Sequence, residues 1–317
     1  MGKTAWQNQT TVSEFILLGF GDFPKVQVLL FMLFLVIYLV TMAGNLLILV
    51  VVVADQHLHT PMYFFLANLS FLESCYSSTI LPKMLSRLLT GERSLSVRSC
   101  FTQFFIFSCL GGAECYLLAM MSYDRFLAIC KPLHYATLMN GRLCMQLAAV
   151  SWVSGVLVST CLVWKVWWLS FCGPNQIDHY FCDSPPIIKL SCSDTLLVEL
   201  TALIFACVFT LPPFLLTLTS YVCIIVTILR IPSTTGRRKA FSTCSSHLTV
   251  VALYYGTLML VYILPQPKDL IHVKKAFSLI YTVLTPLVNP LIYSLRNMEV
   301  KESVRKGIRR FMLYITT

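Results

Sequence analysis

Charged residues are scarce in this sequence. They make up 12% of its 317 residues, whereas hydrophobic residues make up 57% and the mean hydropathy is +0.75. A soluble domain cannot bury so much apolar surface, so a lipid bilayer must solvate most of the chain. The scarcity of charge therefore excludes a soluble globular protein.

Features of several other membrane proteins are also missing from the sequence. There is no alternation of short apolar and polar strands, which excludes a transmembrane β-barrel. No inverted repeat or helix broken at mid-membrane is present, which disfavours a transporter or channel. No HExxH motif and no convergent nucleophile and base are present, which disfavours a membrane enzyme. The class that remains is a helical bundle.

Seven apolar stretches reach the roughly 20 residues that a helix needs to cross a bilayer. They cover residues 26–53, 61–89, 98–130, 142–168, 196–229, 239–263 and 273–295. The second, third and sixth stretches carry polar residues, so hydropathy alone identifies them less clearly. The predicted fold class is an all-α membrane protein, a seven-transmembrane helix bundle that occupies residues 26–295.

The two ends of the chain are expected on opposite sides of the membrane. Residues 1–25 are polar, contain the glycosylation sequon at Asn8 and precede the first span without a cleavable signal peptide, which predicts an extracellular N-terminus. The positive-inside rule favours the same orientation by a small margin. The net charge of +10 indicates contact with anionic membrane lipids.

Residues 296–317 are then cytoplasmic. Apolar residues recur in this segment at helical spacing, with basic residues between them: Val300, Val304, Ile308, Phe311 and Met312. This pattern predicts an amphipathic helix on the inner membrane face. A disordered basic tail is the alternative.

Four of the 13 cysteines fall on the outer side, where oxidation is permitted. They are Cys100, Cys172, Cys182 and Cys192, which allow three pairings, and spacing alone does not choose among them. A metal site at His179, Cys182 and Asp183 is an alternative, although paired cysteines explain the pattern more simply.

Glu73 and Glu114 are the only acidic residues well inside the predicted spans. Their positions along the second and third helices put them at similar depth in the membrane. Two carboxylates there would repel each other, so either one is protonated in a hydrogen-bonded pair or a cation bridges them.

Several motifs resemble those of rhodopsin-like G-protein-coupled receptors. The third helix ends with Ser122-Tyr123-Asp124-Arg125-Phe126, and the seventh contains Asn289-Pro290-Leu291-Ile292-Tyr293. Gly44-Asn45 in the first helix and Trp152 in the fourth fit the same family. The sixth helix departs from the pattern of that family, because it has no interior proline. A hinge in this helix must therefore differ from the usual proline kink.

Four further segments resemble, more narrowly, the odorant receptors of the large tetrapod class. They are Pro61-Met62-Tyr63-Phe64-Phe65-Leu66, Lys131-Pro132-Leu133-His134-Tyr135, Lys239-Ala240-Phe241-Ser242-Thr243-Cys244-Ser245-Ser246-His247-Leu248 and His179-Tyr180-Phe181-Cys182-Asp183. The resemblance extends from about Phe15 to Arg310. Phe126 and Val288 depart from the family's usual tyrosine and leucine, and both substitutions keep size and apolarity.

The resemblance implies structural roles for several of these residues. It pairs Cys100 with Cys182 and Cys172 with Cys192, and it places a sodium ion near Glu73 and Glu114. Asp124 would hold Arg125 in the inactive receptor and release it toward Tyr221 on activation. The remaining residues that the resemblance assigns to this switch are His247, Asn289, Pro290 and Tyr293.

The resemblance also implies a ligand, a partner and a location. The ligand is an odorant that binds in the outer half of the bundle, and the partner is a stimulatory G protein of the olfactory type, which raises cyclic AMP. The location is the plasma membrane of olfactory sensory cilia. A rhodopsin-like receptor for a lipid or a peptide is the alternative.

The expected ligand-binding residues lie toward the outer ends of the third, fifth, sixth and seventh helices. They are Phe104, Phe107, Ser108, Gly111, Gly112, Phe205, Ala206, Phe209, Tyr255, Leu258, Met259, Tyr262 and Thr282. Phe107 stands where amine receptors carry an aspartate, so an ammonium group would have no counter-ion. Apolar walls with a few hydroxyls suit a small uncharged molecule. The alternative is that these residues are helix-packing surface.

Overall fold

The computed structural model describes residues 12–21, 25–263, 271–296, 299–306 and 309. These residues are mostly helical, and seven long helical segments run through them. The segments are α1 (Gln27–Ala54), α2 (Pro61–Thr90), α3 (Val97–Cys130), α4 (Gly141–Trp167), α5 (Leu196–Leu229), α6 (Thr234–Leu258, continued by a π-helix at Met259–Ile263) and α7 (Ile271–Leu279, a π-helix at Ile280–Leu284, and Thr285–Arg296). The predicted all-α bundle is confirmed.

Five of the described helices are long and apolar enough to cross a membrane: α1, α3, α4, α5 and the Val273–Ile292 part of α7. In α6 the apolar part, His247–Ile263, is shorter. The 30 residues of α2 suffice in length, but this helix carries polar side chains such as Asn68 and Glu73. The sequence identified α2 and α6 less clearly for the same reason.

Lipid-facing surfaces are recognisable by exposed apolar side chains. Val28 and Val53 of α1 are more than 70% exposed, and Leu196 of α5 is 70% exposed. Such faces are unfavourable in water and are expected where lipid surrounds a helix. Several polar side chains of the same helices are buried instead, among them Thr41 and Asn45 of α1 and Thr217 of α5.

Polar side chains cap the N-termini of several helices. The Ser96 hydroxyl accepts a hydrogen bond from the Ser99 amide at the start of α3, and the Asn140 side chain accepts one from Leu143 at the start of α4. Pro61 opens α2, where a missing amide hydrogen costs nothing. These local signals set the short connections between the helices.

Glycine permits two close helix crossings. A Cβ atom on Gly155 of α4 would lie 2.2 Å from the Cys109 carbonyl of α3, so no larger residue fits there without a shift. On Gly44 of α1, a Cβ atom would lie 3.1 Å from the Pro290 ring of α7. The Gly44-Asn45 motif therefore acts in packing, and the Asn45 side chain adds a hydrogen bond of 3.2 Å to the Pro286 carbonyl.

The sixth helix, which has no interior proline, contains a local distortion. Met259–Ile263 forms one turn of π-helix at the outer end of α6, and Ile280–Leu284 forms another within α7. A π-turn changes the side-chain period and marks a local distortion of a helix. The turn at Met259–Ile263 thus distorts α6 without an interior proline.

A small sheet lies at the outer end of the bundle and was not predicted from the sequence. Its strands are β1 (Glu14–Leu17), β2 (Ser94–Ser96) and β3 (Gln176–Ile177), with β1 in the middle. β1 is antiparallel to β2 and parallel to β3, and its Phe15 and Leu17 are buried. The N-terminal segment is thus part of the outer cap.

Two disulfides fix the loop between α4 and α5, which contributes β3 to this cap. They join Cys100 to Cys182 and Cys172 to Cys192, with Cα–Cα separations of 5.5 and 5.9 Å. These are the pairings that the resemblance implies. Since the Cys182 sulfur lies in a disulfide, it is unavailable to the alternative metal site.

On the inner side, residues 299–306 are helical. Val300 is buried and Val304 is half-buried, while the Tyr63 hydroxyl of α2 donates a 2.7 Å hydrogen bond to Glu299. This part agrees with the predicted amphipathic helix. Three of the residues that define its pattern, Ile308, Phe311 and Met312, lie outside the described residues, as does the sequon at Asn8.

Candidate functional site: an outer cavity and an inner switch

A cavity of about 570 Å³ lies between the outer halves of α3, α5 and α6, beneath the loop that joins α4 to α5. Pockets of about 300–1,000 Å³ are typical of small-molecule sites. Phe107 lines the cavity, with its ring 4.6 Å from the Phe181 ring of the loop and 5.2 Å from the Tyr76 ring of α2. The cavity can therefore hold a small, largely apolar molecule.

Nine of the expected ligand-binding residues line this cavity. They are Phe107, Ser108, Gly111, Gly112, Phe205, Ala206, Phe209, Leu258 and Tyr262. The expected residues of α3 therefore lie around one cavity with those of α5 and α6.

The other four, Phe104, Tyr255, Met259 and Thr282, lie outside the cavity lining, and the expectation that they line it is wrong. Phe104 is fully buried in the apolar cluster beneath the cap. The Tyr255 hydroxyl donates a 2.6 Å hydrogen bond to the Cys115 carbonyl. Thr282 bonds to the Tyr180 hydroxyl at 2.8 Å. Met259 begins the π-turn, which shifts the side-chain period that sequence spacing assumes.

The paired glycines of α3 have different roles. A Cβ atom on Gly112 would lie 3.0 Å from the Gly155 Cα atom of α4, so this glycine mainly permits the helix crossing. A Cβ atom on Gly111 would meet only the Tyr254 hydroxyl, at 3.8 Å. Of the two glycines, Gly111 therefore leaves more open space at the cavity wall.

The loop between α4 and α5 contributes part of the wall that sequence spacing did not reveal. The loop residues of the lining are Asp183, Ser184, Pro185, Ile188 and Lys189. Further lining residues that the sequence analysis missed are Tyr76, Cys115, Val158, Leu162, Glu199, Ala202, Leu203, Thr210 and Ile263. The expectation that this cavity contains no carboxylate is wrong, because Asp183 supplies one from the loop.

Asp183 is buried at the polar end of the cavity. Its carboxylate accepts hydrogen bonds from the Tyr262 hydroxyl at 2.6 Å and from the Ser184 amide at 2.7 Å. Burial raises the pKa of Asp183 to about 6, although these two hydrogen bonds oppose the shift. The only sequence signal for its position was the neighbouring disulfide cysteine, Cys182.

Glu73 and Glu114 are both fully buried, and their charges interact. The Asn289 amide donates a hydrogen bond to one oxygen of Glu73. Within the described part of the chain, five buried oxygens around them have no hydrogen-bond partner: Glu73 Oε2, both carboxylate oxygens of Glu114, Ser77 Oγ and Asn289 Oδ1. An all-oxygen set of this kind fits a hard cation such as sodium.

The inner switch residues make contacts that differ in part from the expectation. Asp124 accepts a 2.8 Å hydrogen bond from the Tyr135 hydroxyl of the short helix Pro132–Leu138. Both Asp124 and Arg125 lie in the described part of the chain, and no ion pair within 4.0 Å joins them there. Asp124 is thus hydrogen-bonded to Tyr135, and Arg125 interacts with it only electrostatically.

Tyr221 and His247 connect α5 to α6 in the same inner layer. The Tyr221 hydroxyl lies 2.5 Å from His247 Nδ1, and both side chains are buried. Both residues were expected in the switch from the sequence, but their direct contact was not. Pro290 packs on α1 near Gly44, whereas the Tyr293 side chain lies outside the described residues.

Comparisons with known proteins agree with this architecture. A model of the family described as "Olfactory receptor" matches residues 34–310. The chain is 52% identical over 307 residues to olfactory receptor 10A7 of Homo sapiens, which covers 97% of each chain. It is 50% identical to olfactory receptor 10A3 of Homo sapiens, covering 98% of this chain and 99% of the relative. Olfactory receptor 5AP2 of Mus musculus is 46% identical, covering 97% of each.

Matches of this extent cover the bundle, the cap and the switch together. The family consists of G-protein-coupled receptors in the membrane that respond to odorants, and its members are signalling receptors rather than enzymes. The chain belongs to the olfactory receptor family.

Proposed function

We propose that the 570 Å³ cavity is the odorant site of this receptor. The observation that carries the proposal is the closure of an apolar cavity by a loop that a disulfide fixes to α3. Aromatic side chains of α3 and α5 (Phe107, Phe205 and Phe209) supply the apolar walls, and Ser108 and Tyr262 supply hydroxyl groups. A small molecule with one polar group fits this chemistry, and its affinity should be modest because it has few atoms.

Ligand binding reaches the inner face through α6 in this proposal. Leu258 and Tyr262 line the cavity at one end of α6, and His247 contacts Tyr221 toward the other end. A displacement of α6 that breaks this hydrogen bond lets Tyr221 move toward Arg125. The inner surface then binds a stimulatory G protein of the olfactory type, which raises cyclic AMP.

A response assay tests this function. Cells that carry the receptor are exposed to a panel of volatile molecules, and cyclic AMP is measured beside the same cells without the receptor. We expect at least one volatile to raise cyclic AMP only in the receptor-bearing cells. Activation by peptides or lipids, with no response to any volatile, would favour the alternative ligand class.

We also propose that a sodium ion occupies the space between Glu73 and Glu114. The support is the set of buried oxygens without hydrogen-bond partners that surrounds these two residues. A Glu114→Gln variant removes one negative charge while keeping the shape of the side chain. We expect the variant to lose the effect of sodium concentration on odorant sensitivity; a sodium response equal to that of the wild type contradicts the cation site.

The proposed location is the plasma membrane of olfactory sensory cilia, with the N-terminus outside. The disulfide-bearing cap belongs on the oxidising outer side. Arg237, Arg238 and the basic residues of the C-terminal segment then face the anionic lipids of the inner leaflet. An antibody epitope placed at the N-terminus should be accessible on intact cells, and one placed at the C-terminus should require permeabilised cells.

A further inference from the structure

Asp183 brings a carboxylate to the wall of an otherwise largely apolar cavity. It is 3% exposed, and it lines both the large cavity and a smaller one of about 180 Å³ on the outer side. The residue comes from the loop between α4 and α5 and is held there by the disulfide of its neighbour, Cys182. Its position is therefore fixed by the cap rather than by a transmembrane helix.

This carboxylate has hydrogen bonds but forms no ion pair with a described residue. Its two bonds come from the Tyr262 hydroxyl and the Ser184 amide, and both donors are neutral. No lysine, arginine or histidine nitrogen of the described residues lies within 4.0 Å of it: Lys275 pairs with Asp178, and Lys189 and Lys274 lie farther along the cavity walls. A buried charge without a counter-ion is costly, so a donor or cation that enters the cavity gains free energy there.

We propose that Asp183 selects the ligands of this receptor, favouring apolar molecules that carry a hydrogen-bond donor, above all a protonated amine and next an alcohol. This inference rests on the proposed function of the cavity and deepens it. An ammonium group offers three donors and a full positive charge, and a hydroxyl offers one donor. An aldehyde of equal length offers only acceptor lone pairs, which the carboxylate repels.

The state and surroundings of Asp183 support this selection. With a pKa of about 6, the carboxyl group is largely ionised at neutral pH outside the cell. The apolar part of such a ligand would lie against Phe107, Phe205 and Phe209. Phe107 occupies the position of the aspartate in amine receptors, so the counter-ion here comes from the loop instead of from α3.

The inference is tested with small molecules that have the same chain length and differ only in their single polar group. Straight-chain primary amines, alcohols and aldehydes of five to eight carbons are compared in two ways. The first measurement is the cyclic AMP response, and the second is the shift in unfolding temperature of the purified receptor. We expect the concentration for half-maximal effect to increase from amine to alcohol to aldehyde at each chain length.

The informative variant is Asp183→Asn, which keeps the shape of the side chain and removes its charge. Its control is Glu92→Gln, which removes an exposed carboxylate of the outer side that lies outside the lining of both cavities. We expect Asp183→Asn to raise the half-maximal concentration for amines at least about tenfold and that for aldehydes much less. The control should leave the order of the three probe classes unchanged.

The outcomes separate failure of the inference from failure of the proposed function. If none of the probes shifts the unfolding temperature or raises cyclic AMP, the cavity is not the ligand site and both proposals fall. If aldehydes act as strongly as amines, or Asp183→Asn weakens all probes equally, only the donor selection is wrong. Should this variant not reach the cell surface, Tyr262→Phe frees one oxygen of Asp183 and should increase the preference for amines over aldehydes; an unchanged or smaller preference overturns the inference.

Discussion

The outer and inner halves of the bundle differ in how their polar groups are used. In the outer half, Asp183 lies on the wall of a cavity and can interact with a guest molecule. In the inner half, polar side chains bond to one another, as Tyr135 does to Asp124 and Tyr221 to His247. Binding and signalling should therefore depend on different residues. Single substitutions can show whether the two halves are separable in this way.

The largest effect is expected from removal of the disulfide that fixes the cap. Cys100→Ser or Cys182→Ser should abolish surface delivery or odorant response, because this disulfide joins the loop above the cavity to α3 across a sequence separation of 82 residues. Surface immunostaining and cyclic AMP measure the two losses. Cys172→Ser should cost less, since its disulfide closes only 20 residues, and Cys161→Ser, at an exposed free cysteine, should change nothing. Normal behaviour of Cys100→Ser would show that the loop closes the cavity unaided.

A substitution in the inner half should separate signalling from binding. Arg125→Ala should abolish the cyclic AMP rise, while ligand affinity measured on the purified receptor stays within about threefold of wild type. The reason is that Arg125 lies at the inner end of α3, away from the lining of the cavity. Arg230→Ala, at the inner end of α5, serves as a control for loss of a basic residue. Equal losses of binding and signalling would contradict the separation.

An intermediate effect is expected in the cavity wall. Phe209→Ala removes an aromatic ring from the lining and should raise the half-maximal odorant concentration about tenfold or more. Val208→Ala, at the next residue, changes a side chain that is 53% exposed on the lipid-facing side and should have little effect. Dose–response curves at matched surface density measure both. Equal effects of the two variants would place Phe209 in the scaffold.

The smallest effect concerns the pH dependence of the cap. The pKa of Asp183 is raised to about 6 by burial, so this residue's contribution to stability falls as the pH rises from about 3.8 to 6. The pKa of His179 is lowered to about 3, first by burial and then by Lys275, so the contribution of His179 grows as the pH rises from about 3 to 6.5. The two trends oppose each other, and the wild-type receptor should show little change.

Single substitutions should expose each of the opposing trends. Thermal unfolding of Asp183→Asn should show stability that increases from pH 4.5 to 6.5, and His179→Asn should show stability that decreases. Other titratable groups that line the smaller cavity around these residues are common to both variants: Asp178, Lys189, Lys274 and Lys275. Identical pH profiles in the two variants would show that neither residue governs the cap.

In the inner half, the sequence predicted which residues lie near one another but not all of their contacts. Asp124, Arg125 and His247 lie in contiguous motifs on single helices, so their identities and level in the membrane follow directly from the sequence. The bond from Tyr135 to Asp124 was missed, because Tyr135 belongs to a short helix whose direction no pattern specifies.

In the outer half, periodicity identified most of the lining residues, but it did not show that Phe104 and Tyr255 are engaged in contacts elsewhere in the bundle. Phe107, Ser108 and Gly111 share a stripe on α3, and all three line the cavity. Met259 was misplaced because a π-turn interrupts the period of α6, and Asp183 was missed because it lies in a loop. The path of that loop depends on a sheet between distant segments, which a local pattern cannot predict.

The most direct test of the central claim fills the cavity. Ala206→Trp places a large side chain in the cavity lining, and nucleotide exchange on the G protein is measured with purified receptor and an odorant that activates the wild type. The account predicts that odorant-stimulated exchange is lost while the receptor remains folded, as judged by its unfolding temperature. An undiminished odorant response in the folded, filled receptor would contradict the claim that this cavity is where the odorant acts.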